Sequence, residues 1–492
     1  MENNKTPLSE REERLIKLKR IEEREINPYP AKVKRDYNIS NFNENFEKIS
    51  AKQENIFLVG RLKAIRVHGN LSFANIEDES SSVQIAFSKK ELENDSYKDF
   101  VKLVDNGDFL EVHGQAFVTH KGEKTLMVKS WRLISKTLRP IPDTWFGLKD
   151  EEERYRKRYL DIMLNKETRE MIKKRALFWQ STRNFLIGKG FLEVETPVLE
   201  ITPGGGDAEP FITHHNALDI PVYLRICNGE LWQKKLMVAG FEKTFEIGRQ
   251  FRNEGMDSDH LQDYTQMEFY MAYADYKDGM ELVKELFRTV ALKTFNTTKF
   301  QIKGHDIDLA DKWQEYDYRE TVLKYTGIDV LNTNEKEIRK KLDDLGVIYD
   351  TKGFNLTRAI DNLWKYCRKK IAGPGFLINT PITVSPLAKR KEDDPALAQR
   401  FQPIIAGSEL GNGYSELNNP IDQKERFLEQ EKLRQAGDLE AQRLDNNFIE
   451  ALEYGMPPTC GFGFSERVFS YLMNKTGREC QIFPLMKPKN NT

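Results

Sequence analysis

The sequence predicts an α+β protein in two folded parts: a small barrel of short strands, then a larger antiparallel β-sheet flanked by helices. Three observations carry this. Five short apolar runs separated by glycine-containing turns fill residues 53–136. A long amphipathic helix pattern follows a proline-stiffened linker. Beyond residue 220, strand-like runs alternate with polar turns almost to the end. With 492 residues and a hydrophobic fraction of 39%, the chain can fill two or three cores.

The elements follow in order. Residues 1–52 are highly charged, and residues 14–25 suit a helix with Leu15, Leu18 and Ile21 on one stripe, ended by Pro28 and Pro30. That helix reads as a solvated tail, a packing helix or a surface for RNA. Residues 56–62, 71–76, 83–87, 109–118 and 125–133 read as strands, with a helix-like stretch at 90–104 between the third and fourth, a pattern that suits an OB-fold barrel. Such barrels stack nucleic-acid bases on aromatics. Phe73 and Gln84 are the candidates, although Phe73 equally suits a core. A linker is expected over 137–160, stiffened by Pro140 and Pro142 and kept wet by its charge run.

The last part, 161–492, opens with the long helix. Met171, Phe178 and Phe185 recur every seven residues beside Ile172, Trp179 and Leu186. So wide a stripe buries against its own sheet or faces a second subunit. Gly188 and Gly190 end it. Residues 224–227, 243–247 and 265–271 are expected as antiparallel neighbours, and 305–375 as a charged helical insertion. The sheet resumes at 375–379, 401–406 and 409–417, before a charged helix at 420–436 and a strand-to-helix step at 461–471.

Charge and cysteines narrow the function. Lys and Arg number 76 against 77 Asp and Glu, which excludes an overall basic coat but not a local basic face. Cys227, Cys367, Cys460 and Cys480 form no CxxC pair, as expected of reduced thiols in the cytoplasm. Residues 1–5 lack the apolar segment of a signal peptide, and no apolar run spans a bilayer, so no membrane partner is expected.

The chemistry concentrates in a few residues. Arg252 ends an apolar strand beside Glu254. Its guanidinium can grip an α-phosphate bidentately, or form a structural pair with Glu254. His260, in the loop that follows, can donate to a γ-phosphate or stay idle; Tyr264 can stack on a purine. Gly461, Gly463 and Ser465 leave a strand face bare, for a flat adenosine or for close packing, and Arg467 follows at the γ-phosphate end. No GxxxxGK[ST] is present, so this is not a P-loop. Glu230, Glu268, Glu409 and Glu416 all fall on predicted sheet segments around one site. A buried carboxylate without its partner costs roughly 3–5 kcal/mol. The cluster therefore asks for a divalent metal and a cationic substrate, or else resolves into four separate ion pairs.

On these residues the chain resembles a class II lysyl-tRNA synthetase of the bacterial type, from about residue 55 to 488. The likeness rests on Gly190-Phe191-Leu192-Glu193-Val194-Glu195-Thr196-Pro197 and Phe251-Arg252-Asn253-Glu254, shared across the class. Three further segments, at 210–219, 271–276 and 411–418, are particular to the lysine branch. The resemblance implies an anticodon-reading OB-fold, a class II antiparallel catalytic sheet, the substrates ATP, L-lysine and tRNA(Lys), Mg2+, and a cytoplasmic homodimer. It places lysine on Glu230, Tyr270 and Glu416, with Glu268, Asn412 and Gly205 in the same pocket. It puts the α-phosphate on Arg252, the γ-phosphate on His260 and Arg467, adenine on Tyr264, and magnesium on Glu409. Phe73 and Gln84, with Arg66 nearby, match anticodon-reading positions.

The chain departs from that pattern. Cys227-Asn228-Gly229-Glu230 is one residue longer than the usual turn, the third motif is one residue shorter, and Glu466 replaces an Asp. Gln402 stands where the second metal carboxylate belongs, and Glu209 replaces an Arg. An aspartate- or asparagine-type synthetase shares the architecture but needs a cation for its substrate side chain. The same residues also fit a catalytically impaired RNA-binding or regulatory paralogue, or a ligase that lysylates a protein.

Overall fold

A computed structural model describes residues 8–92, 94–142, 150–206, 208–255, 261–351, 354–438 and 440–489. The chain forms two compact units, 1–151 and 152–492.

The first unit begins with α1 (Glu10–Glu22), α2 (Ile39–Glu44) and α3 (Phe46–Lys52). Ser9 and Glu12 close a capping box on α1. These helices are not a separate layer of solvated chain. Ile21, Ile39, Phe42, Phe46 and Ile49 join the barrel's own core. The barrel comprises β1 (Asn55–His68), β2 (Leu71–Glu77), β3 (Ser82–Ser88), β4 (Phe109–Val118) and β5 (Lys124–Ser135), with α4 (Asn94–Leu103) between β3 and β4. It closes in the order β1-β2-β3-β5-β4, with β3 and β5 parallel, as an OB-fold does. Alternation places Ala74 and Ile76 inside and leaves Phe73 half-buried on the other face.

The second unit opens with α5 (Glu151–Arg156), α6 (Arg158–Leu164) and α7 (Lys166–Gly188). The expected linker is therefore helical from Glu151 onward. Its charges are paired rather than merely wet: Asp161 accepts from Arg154 at 2.8 Å and Arg158 at 2.7 Å. After α7 come β6 (Leu192–Glu193), β7 (Leu199–Glu200), β8 (Ile212–His215), β9 (Ile220–Leu224), α8 (Glu230–Val238), β10 (Lys243–Phe251) and β11 (Asp263–Ala272). Next are α9 (Tyr276–Phe295), β12 (Lys299–Ile302), β13 (His305–Asp308), β14 (Gln314–Asp317), α10 (Tyr318–Thr326), α11 (Glu335–Asp344) and α12 (Leu356–Arg368). The remainder is β15 (Gly375–Ile378), β16 (Arg400–Ile405), β17 (Ser408–Glu409), β18 (Asn412–Ser415), α13 (Pro420–Gln435), α14 (Asn446–Glu453), β19 (Thr459–Ser465) and α15 (Arg467–Leu472).

The main sheet runs β14-β15-β16-β18-β19-β11-β10-β6, with β17 added on β16. Its middle is antiparallel, while the edge pairs β14–β15 and β10–β6 are parallel. Residues 224–227 are not part of it, because β9 pairs with β7 and β8 in a small separate sheet. The segment 305–375 is not wholly helical either: β13 and β14 precede α10, α11 and α12, whose core gathers around Trp364. One face of the main sheet packs Phe245, Phe269, Phe462 and Phe464 against α7 and α9. The wide stripe of α7 is thus spent on its own sheet: Met171, Phe178 and Leu186 are buried there, with Ile172, Trp179 and Phe185 packed against them. The opposite face carries the polar residues.

Candidate active site

Strand register builds that second face. Across β11 and β19, Glu268 lies opposite Gly463 and Tyr270 opposite Gly461. Across β19 and β18, the same glycines lie opposite Asn412 and Tyr414. Each glycine is therefore flanked by two polar side chains on one surface. A side chain at Gly461 would collide with Glu416 Oε1 and the Tyr270 ring, and one at Gly463 would come within 2.8 Å of Glu268 Cγ. The space at these two glycines belongs to neighbouring side chains and is not a bare bed for adenosine.

A cavity of about 440 Å3 opens over this face. Glu230, Glu268, Tyr270, Asn412, Glu416 and Gly205 line it. So do Arg252, Glu254, Tyr264, Arg467, Gln402 and Glu409. His260 lies outside the described residues. Phe73, Gln84 and Arg66 belong to the barrel. Arg66 pairs across β1–β2 with Phe73, and Asn75 across β2–β3 with Gln84, so the three residues share one outer surface with Asn75 between them.

Glu230 is not on a strand. It is the first residue of α8, behind the N-cap Gly229 at φ +70°. That left-handed residue turns the chain into α8, and any side chain there would strike Thr196. Glu230 then enters the cavity wall, accepting from Lys234 Nζ at 2.8 Å and from the Tyr414 hydroxyl. Lys234 also meets Glu416 Oε2 at 2.5 Å. Glu268 accepts from the Asn228 N–H at 2.8 Å, Gln266 Nε2 at 2.5 Å and the Tyr270 hydroxyl at 3.1 Å. Burial pushes the Glu268 carboxyl up to about 7, with Glu230 adding like-charge repulsion. Burial likewise holds the Glu416 carboxyl well above the usual range, although Lys234 opposes the shift.

The cationic part is built differently. Arg252 Nε donates to the Ile226 carbonyl at 3.2 Å, and its guanidinium lies 5.9 Å from the Tyr264 ring centre. Arg467 rests against the hydroxyls of Tyr471 at 3.2 Å and Ser408 at 3.5 Å, and its buried Nε has no hydrogen-bond partner among the described residues. Glu466 just before it accepts from Arg175, from Gln481 and from the Thr265 N–H, which fixes the start of α15. Glu409 accepts from Arg368 at 3.0 Å and from Trp364. One such carboxylate and the Gln402 amide suit a magnesium ion held mainly by phosphate oxygens. Among the described residues, no group of three or more His, Cys, Asp or Glu side chains is placed to hold a metal ion. Lys234, Arg368 and Arg175 escape the sequence reading, and Tyr414 falls within 411–418 without being given a role. Lys234 carried a signal, four residues after Glu230, and Tyr414 lay in a quoted segment.

The barrel and the larger unit together define a class of protein. Residues 150–487 match the tRNA synthetases class II (D, K and N), and residues 56–134 match the OB-fold nucleic acid binding domain. The chain belongs to this class II family. Its relatives include the lysine–tRNA ligase of Roseiflexus sp. (strain RS-1), 41% identical over 484 residues, covering 97% of this chain and 99% of that protein. The lysine–tRNA ligase of Pelotomaculum thermopropionicum is 42% identical, covering 96% of this chain and 94% of that protein. That of Thermotoga maritima is 40% identical, covering 97% and 96%.

Glu200, on β7, offers a test of how burial is balanced beside the site. Trp232 Nε1 donates to one of its oxygens at 3.0 Å, the other has no hydrogen-bond partner among the described residues, and burial pushes the carboxyl up to about 7 from 4.5. The folded chain then holds a proton that the unfolded chain has released. Stability from this group is complete below about 4.5 and is lost as pH rises through about 7. Glu200→Gln should be more stable than wild type above that range, by up to about 3 kcal/mol, and equal to it in acid. Urea unfolding at both ends of the window checks this; a difference independent of pH would contradict it.

Proposed function

We propose that the chain is a lysine–tRNA ligase. It activates L-lysine with ATP to lysyl-adenylate and passes the lysyl group to the 3′-terminal ribose of tRNA(Lys). The observation that carries this reading is the charge of the cavity wall: Glu230, Glu268 and Glu416 are all buried, and the cation paired with two of them is Lys234. A cationic amino acid supplies the missing charge.

The amino acid lies on Glu230, Tyr270 and Glu416, with Glu268, Asn412 and Gly205 completing the pocket. Its carboxylate oxygen attacks the α-phosphorus of ATP in line; the new O–P bond forms as the bond to the bridging oxygen breaks, and pyrophosphate leaves with that electron pair. Arg252 offsets the charge that grows on the α-phosphate, Arg467 and His260 hold the γ-phosphate end, and Glu254 and Tyr264 hold the adenine. Glu409 and Gln402 would hold Mg2+, which supplies charge neutralisation along the phosphates. No protein nucleophile is required. The barrel surface around Phe73, Gln84 and Arg66 reads the anticodon. The protein works as a cytoplasmic homodimer, its second copy covering the exposed apolar residues Leu192, Leu199 and Ile201.

An aspartate- or asparagine-type activity requires a cation free to meet the substrate side chain. Lys234 is fully buried, doubly paired and absent from the cavity lining, and Arg400, which does line the cavity, donates to Asn412, to the Val384 carbonyl and to Ser385. The pocket therefore offers acid.

Glu416→Gln should depress lysine-dependent ATP–pyrophosphate exchange at low lysine while ATP affinity changes little. Undiminished exchange at low lysine would remove that role. Phe73→Ala should weaken tRNA charging by ~1–3 kcal/mol, the worth of one stacked base, with adenylate formation intact. Equal loss in both steps would mean a damaged fold instead.

A further inference from the structure

We infer that Lys234 is a specificity-determining positioning residue, clamping one oxygen of Glu230 and one of Glu416 so that the other oxygen of each faces the substrate pocket. This rests on the lysine–tRNA ligase reading and names the part of the site that sets its charge. Glu230 and Lys234 are one helical turn apart on α8, so their side chains share a face. Nζ lies 2.8 Å from Glu230 Oε1 and 2.5 Å from Glu416 Oε2, and the ammonium sits 5.4 Å from the Tyr414 ring centre. The Tyr414 hydroxyl donates to the same Glu230 oxygen. The two remaining oxygens face glycines that line the cavity. Glu230 Oε2 is 3.3 Å from where a side-chain carbon at Gly205 would stand, and Glu416 Oε1 occupies the place of one at Gly461.

Glu230 and Glu416 share the Lys234 ammonium, and the buried Glu268 carboxyl adds like-charge repulsion to Glu230, so the two paired acids together carry one more charge than the ammonium offsets when both are ionised. Free lysine brings two ammonium groups. Lys234 thus sets the pocket to an amino acid with a second ammonium group, a net monocation whose carboxylate is left for the ATP end: without Lys234 the wall carries one more uncompensated negative charge, and with a second such lysine it would be satisfied without substrate. Among the described residues, the charged and titratable groups facing Lys234, Glu230 and Glu416 are Cys227 before α8, Glu268 and Tyr270 on β11, Tyr414 on β18 and Cys460 on β19; Glu246 on β10, Glu200 on β7 and Arg252 after β10 act on Glu268, and Arg400 on β16 acts on Tyr414. With Lys234 removed, the opposing influence on the raised Glu416 carboxyl disappears, and Glu416 holds its proton to higher pH.

The test is ATP–pyrophosphate exchange by full-length wild type, Lys234→Met and Lys234→Arg. For Lys234→Met, KM for lysine should rise about tenfold or more, as expected when a buried charged pair loses its partner, while KM for ATP stays near wild type. The acid limb of kcat/KM for lysine should move to higher pH, and Lys234→Arg should recover part of both changes. A fall in kcat alone, or equal rises in both KM values with the acid limb unmoved, would show a merely structural lysine and overturn the inference. If Lys234→Met does not fold, Lys234→Met/Glu416→Gln, which buries no extra charge, is compared with Glu416→Gln. A further rise in KM for lysine supports the clamp on Glu230; an identical KM overturns it. Wild-type protein with no lysine-dependent exchange would sink the ligase reading itself, a result distinct from either.

Discussion

The site depends on holding three carboxylates out of water around one cavity with fewer cations than acids. In a low-dielectric wall this is tolerated only where each oxygen has a donor or awaits one. Every local feature of the pocket serves that requirement. α8 begins at Glu230 so that Lys234 returns to it one turn later. β11 presents Glu268 and Tyr270 on one face, where the tyrosine hydroxyl reaches the acid. β19 contributes glycines at 461 and 463 because the acids and tyrosines of its neighbours already fill that space. The aromatic residues that alternate with them, Phe462 and Phe464, anchor the same strand in the apolar core below.

The phosphate end obeys the opposite rule. Arg467 leans on neutral hydroxyls of Tyr471 and Ser408. A guanidinium so held remains available to a phosphate, whereas a carboxylate contact would compete with one. The acid beside it in sequence, Glu466, points elsewhere, into the buried Arg175 and the Thr265 N–H. Glu466 therefore spends its charge on Arg175, Gln481 and the Thr265 N–H, not on Arg467.

Much of this was legible in the sequence, for physical reasons. The barrel strands alternate with period two, and α7 repeats its apolar residues at helical spacing, so burial alone wrote both patterns. Arg252, Glu268, Glu416 and Arg467 were visible as charges set against apolar strands. What escaped depends on partners distant in sequence or on backbone that pattern does not report. Glu230 reads as strand because apolar residues precede it, yet Gly229 turns the chain into a helix. The bare face at Gly461 looked like room for a nucleotide, since the side chains that occupy it come from other strands. Phe73 looked as much like core as surface until the register of β2 put Ala74 and Ile76 inside. Arg175 and Glu466 are 291 residues apart, and no local period announces such a pair.

Calorimetric titration of the full chain with L-lysine and with norleucine, which keeps the side-chain length but lacks its ammonium, tests the charge account most directly. In buffers of differing protonation enthalpy, lysine should bind with release of protons from the acid wall, and norleucine should bind far more weakly without it. Comparable affinity for the two, with no proton released, would contradict an under-neutralised pocket as the basis of recognition.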